Sequence, residues 1–178
     1  MANNVFRGKN VTVQVIDRGW NRIQREVKKL DDSHVKVGVL PSAGTTRSPS
    51  VVVSKRRRSS SKATKAITMA QLAAVHEHGS PKNNIPSRPF MKQAHDSNKG
   101  RLAKSKFNLL RSIYAGALSA RQALDKLGII HEGQVKRQFV AGSFKPLKPA
   151  TIARKKSSKP LIDTGALRSS VDHEVVMK

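Results

Sequence analysis

Apolar and polar residues first alternate over 11–16, Val-Thr-Val-Gln-Val-Ile, as in a strand with one buried face. Over 19–30 the period lengthens. Trp20, Ile23, Val27 and Leu30 fall three, four and three apart, which predicts an amphipathic helix closed by Asp31-Asp32-Ser33. Alternation returns over 34–40 and stops at Pro41. This β-α-β opening predicts two strands of one sheet with the helix lying across a face.

Further along, Thr68 is followed three residues later by Gln71, a capping box. It predicts a helix through Leu72 and Val75 to about Glu77, with Gly79 as C-cap. The next stretch, 80–89, holds three prolines and cannot be regular, and Pro89 suits the first turn of a helix from Phe90 to about His95. Leu102, Phe107, Leu110, Ile113 and Ala117 predict helix over 102–117, with Gly100 and Gly116 as weak points. Ser119 and Gln122 form a second capping box, opening a helix from Ala120 to about Ala141 that Gly142 closes. Its apolar members are Leu124, Leu127, Val135 and Phe139; whether 90–141 is one bent helix or two stays open. Near the end, Leu161 and Ile162 lead into the turn formers Asp163, Thr164 and Gly165. The Thr164 hydroxyl suits a cap on a helical turn starting at Gly165, with Leu167 and Val171 on one face. A short strand over about 171–176 follows. The expected class is α+β: a small, mostly antiparallel sheet packed against two or three helices, with long basic loops.

Two stretches carry no period. Residues 41–66 hold seven serines, seven Lys or Arg and no acid, a basic Ser-rich loop or arm in which Val51-Val52-Val53 suits one leg of a hairpin. Residues 143–160 form a basic, proline-punctuated loop with a helical turn over 151–155. The whole of 1–178 reads as one domain. Leu, Ile, Val and Phe make up 43 of its 178 residues. That is little above the roughly 20% below which chains stay unfolded, so the core should be thin.

Net charge changes the picture more. With 35 Lys+Arg against 11 Asp+Glu, the chain carries +24, which calls for a polyanion or an acidic protein surface nearby. Lys55, Arg56, Arg57, Arg58, Lys62 and Lys65 in the first loop, and Arg154, Lys155 and Lys156 in the second, are the candidate contacts to DNA or an acidic partner. The 55–58 run equally suits a nuclear-type signal, a solvated tip, or a segment ordered only by its partner. One Trp and one Tyr argue against base-stacking platforms. Cysteine is absent, the N-terminus lacks an apolar signal region, and no apolar run approaches about 18 residues. The expectation is a soluble chain made in a cytoplasm, with no membrane partner.

Candidate chemistry is sparse. Asp163-Thr164-Gly165, preceded by Leu161-Ile162, matches the tripeptide of aspartic proteases, most closely the retroviral form. Such enzymes pair two aspartates within an all-β domain, whereas only 13 residues follow Gly165 here. A capped turn explains the residues better. His76-Glu77-His78 puts two histidines two apart, which on a helix do not face one another, so a metal site is not expected. No Gly-rich phosphate loop or useful carboxylate pair occurs, so the expectation is no enzyme, no metal and no cofactor.

Four segments in order carry a resemblance. They are Val35-Lys36-Val37-Gly38-Val39-Leu40, Ala73-Ala74-Val75-His76-Glu77-His78-Gly79-Ser80, Ile85-Pro86-Ser87-Arg88-Pro89-Phe90-Met91, and Pro160 through Ser170 with its Leu-Ile-Asp-Thr-Gly-Ala-Leu-Arg core. The set resembles the neck and tail-completion proteins of tailed bacteriophages, often described as minor tail components. Two features depart from the common pattern: His78, where many relatives have an aromatic, and the long basic 41–66 loop. The resemblance implies a structural, non-catalytic virion protein, assembled in the bacterial host cytoplasm. It would form a homo-oligomeric ring, six- or twelve-fold, in the neck between portal or adaptor and the tail-tube or tail-terminator proteins. Packaged double-stranded DNA would pass through that ring. The assembly-interface candidates are Pro86, Arg88, Pro89, Phe90, Leu161, Ile162, Asp163, Thr164, Gly165, Leu167 and Arg168. Arg88, stiffened between two prolines, suits an inter-subunit carboxylate, its bland alternative being a surface arginine along a helix start. The rival from another class is a sequence-independent nucleic-acid-binding protein.

Overall fold

Two long helices side by side organise the chain. The computed structural model describes residues 4–7, 12–15, 19–40, 67–155, 158–162 and 165–178. Helix α3 is Phe90–Tyr114 and α4 is Ala120–Ala141. At 1.5 Å per residue, α3 is about 37 Å long and continues through Gly100, at a cost of about 1 kcal/mol relative to alanine. The turn between the helices is a Schellman motif. Gly116, at φ 71°, donates its N–H to Ile113 O at 2.9 Å, and Ala117 donates to Ser112 O at 2.9 Å. The helix therefore ends at Tyr114 rather than 117. Residues 90–141 form a hairpin of two helices.

Both capping boxes are present: Gln71 N donates to Thr68 Oγ1 at the start of α2, Met69–His78, and Gln122 N to Ser119 Oγ at the start of α4. The Glu26 carboxylate, on α1, Trp20–Lys28, also accepts from Ala120 N at 2.8 Å, tying α1 to the same end of the hairpin. A hydrogen bond from Lys29, then that amide, hold the Glu26 carboxyl below its ordinary range.

The sheet is two separate ribbons, which corrects the single sheet expected of the opening. Strand β1, Asn4–Arg7, pairs antiparallel with β2, Thr12–Val15. Strand β3, His34–Gly38, pairs antiparallel with β4, Asp172–Val176, with Val37 opposite His173 and Val35 opposite Val175. Alternation marks a half-buried strand but not its partner, and the partner of β3 lies at the far end of the chain. Helix α1 packs on α3, not across a sheet, and Trp20 is 58% exposed.

The β3·β4 ribbon lies on α4. Gly128 makes that possible: a Cβ there would stand 2.3 Å from His173 Cδ2 and 3.0 Å from Val35 Cγ2. The core sits beyond it, where Phe90, Ala94, Val135, Phe139, Leu161, Leu167 and Val171 are all buried. The short helices α5, Pro149–Lys155, and α6, Ala166–Ser169, complete the described chain. None of the described helices is long and apolar enough to cross a membrane.

Candidate functional site

The connection from α2 to α3 is built around a buried cation. Gly79 turns the chain at φ 80°, and a Cβ on it would stand 2.7 Å from Ser87 N, so both conformation and space demand glycine. A bridge between Ser80 and Ile85 folds the proline-rich loop back on itself. Ser87 Oγ donates to Glu77 O at 2.7 Å and Arg88 N to His76 O at 2.7 Å, so the loop is pinned to the last turn of α2. The Glu77 carboxylate reaches on to accept from Met91 N and Lys92 N at 2.9 and 3.0 Å, capping α3 from a neighbouring helix. Glu77 thus serves as a helix cap, a role the His76-Glu77-His78 triplet did not reveal.

Fixed in this way, Arg88 is 4% exposed, not a surface arginine. Its Nε donates to Lys145 O at 3.1 Å. Among the described residues no carboxylate lies within ion-pair distance of it. Burial pushes the guanidinium below its ordinary value, though an arginine stays charged at neutral pH. Arg88 opens on a cleft of about 520 Å³ walled by Ile85, Pro86, Pro146, Leu147 and Pro160, with Lys145 and Lys148 also lining it.

A second charged group ties β4 to α4. His173 Nδ1 lies 2.6 Å from Glu132 Oε2, and Nε2 lies 3.3 Å from Asp125 Oδ1. Lys136 Nζ donates to Glu132 Oε1 at 2.5 Å. Glu132, Asp172 and His173 each place one donor atom within 4.8 Å of the others. Lys136 and His173 already meet the Glu132 charge, so the group works as an ion-pair network. Burial alone would lower the His173 pKa, but the hydrogen bonds and charges of Glu132 and Asp125 outweigh it and the net shift is upward. For Glu132, burial raises and Lys136 and His173 lower, with a net fall.

The linkage signs follow from these shifts. Stability from His173 is complete below its ordinary value of 6.5 and fades as pH rises through the higher folded value. Stability from Glu132 is present above 4.5 and fades as pH falls through the lower folded value. The thermal midpoint of the native chain should therefore exceed that of His173→Gln most at about pH 5–6, with the gap closing in alkali. An even gap across that range would exclude the network.

The third feature is the outer face of α3. Phe107 is 67% exposed, Leu110 37% and Tyr114 49%, at spacings of three and four, so they form one stripe. Lys99, Lys104, Lys106 and Arg111 are exposed around it, and α3 has only Asp96 as an acid. Phe107 and Leu110 belong to the apolar set expected to mark a core face. Leu102 and Ile113 alone of that set are buried in α3. The set spans two faces.

The sequence-chosen residues divide clearly. Pro86, Arg88 and Pro160 line one cleft, while Phe90, Leu161 and Leu167 share one core cluster, so the two motif segments meet. Pro89 is the N-cap of α3; Ile162 and Gly165 are half-buried and Arg168 is exposed. Arg154 and Lys155 lie at the end of α5. Asp163, Thr164, Lys156, the Val51–Val53 leg and the Lys55, Arg56, Arg57, Arg58, Lys62 and Lys65 set lie outside the described residues. No family model, curated protein or solved structure matches the chain.

Proposed function

We propose that this chain is a structural protein of the neck of a tailed-bacteriophage virion: a ring-forming connector that completes the head–tail joint and leaves a channel for DNA. The observation that carries the reading is the α3 outer face. An apolar stripe ringed by cations is explained when a neighbour covers it. Two copies of the stripe face to face would oppose like charges, so the contact is heterologous, one face of each subunit meeting a different face of the next. The +24 charge then meets acidic neighbours or packaged DNA. The ordered motif segments supply the choice of neck among such assemblies.

Phe107→Glu with Tyr114→Glu tests this. Both side chains are exposed, so the unfolding free energy should change by no more than about 0.5 kcal/mol each. Ring formation on mixing with purified heads or tails should be lost, as seen by sedimentation and electron microscopy. Native rings from the double variant would place the interface elsewhere. A native protein that stays monomeric yet binds DNA with a steep salt dependence favours the nucleic-acid-binding rival.

A further inference from the structure

The cleft above Arg88 has the build of a receptor, and it stands independently of the virion reading. We infer that it takes an acidic side chain carried on an extended apolar segment of a partner polypeptide. Arg88 is fixed in place by its own main chain, through His76 O, and by the Nε bond to Lys145 O. That bond leaves the Nη1 and Nη2 groups, which have no partner among the described residues, to hold a carboxylate end-on by two parallel hydrogen bonds. Burying a guanidinium without a counter-charge is costly, and among the described residues no carboxylate pairs with it. The walls of proline, Ile85 and Leu147 suit apolar residues flanking the acid, and about 520 Å³ is room for a few residues. A duplex phosphate fits less well, because the convex backbone of DNA does not readily reach a charge that is only 4% exposed. The basic 41–66 segment holds no acid, so it does not supply the group.

The test uses the full chain with its arginine Nε–H resonances followed by NMR. The probes are acetyl-Leu-Glu-Leu-amide, its Gln counterpart and inorganic phosphate. The Glu peptide should move the Arg88 resonance saturably and bind at least about tenfold more tightly than the Gln peptide. Lys148→Glu, at an exposed position lining the cleft, should weaken the Glu peptide several-fold and leave the Gln peptide unchanged. Arg88→Met, followed by titration calorimetry because it removes the observed resonance, should abolish the difference between the peptides in a chain that circular dichroism shows to be folded. Equal binding of the two peptides, no response to either, or a tighter response to phosphate would overturn the inference. So would movement of the same resonance by Asp163→Asn alone, which would assign the cleft to this chain's own carboxylate.

Discussion

Phe139→Ala should lower the unfolding free energy by about 3–5 kcal/mol, a large part of the roughly 5–15 kcal/mol that keeps a domain folded. Phe139 is 2% exposed and its ring lies 4.5 Å from that of Phe90, tilted by 46°. The pair joins the middle of the core to the first residue of α3. Around it, Val135, one turn earlier on α4, and Leu161, Leu167 and Val171, from the C-terminal stretch, are all buried, so collapse onto the missing ring would have to move several elements together. The cleft should suffer as well, because Phe90 N donates to Arg88 O and the core holds the residue that follows the cleft. Chemical denaturation of the native and variant chains measures the loss. A cost below about 1 kcal/mol would mean that the core does not rest on this pair.

What could be read from the sequence was whatever is encoded over a few residues. The Thr68–Gln71 and Ser119–Gln122 boxes each close their hydrogen bonds within four residues, and both helices begin where those pairs put them. Gly79 could be placed as a helix end for the same reason; Leu167 and Val171 do share the core, but α6 stops at Ser169, so Val171 reaches it from beyond the helix and not from a common helix face. The failures are long-range. Nothing local told the 11–16 strand that its partner was Asn4–Arg7, or told His34–Gly38 that its partner was Asp172–Val176. Phe107 and Leu110 have the composition of core residues, and only the position of α4 and α1 decides that they face outward. Arg88 was legible as a candidate because two prolines fix its approach, but its burial depends on Lys145, 57 residues away. His173 carried no signal. Its partners Asp125 and Glu132 lie seven apart on α4, and only the strand laid over Gly128 brings the ring between them.

The proposed neck role carries the largest expected effect, because a head–tail joint that cannot close yields no complete particle. Its loss should not slow assembly by degrees. It should stop it at the joint, with capsids and tails each completed on their own pathways. The direct measurement is electron microscopy of particles made in a host that lacks this protein but has every other virion component. The account predicts DNA-filled heads beside separate, finished tails, rejoined when the purified protein is added back. Complete, infectious virions formed without it would contradict the account.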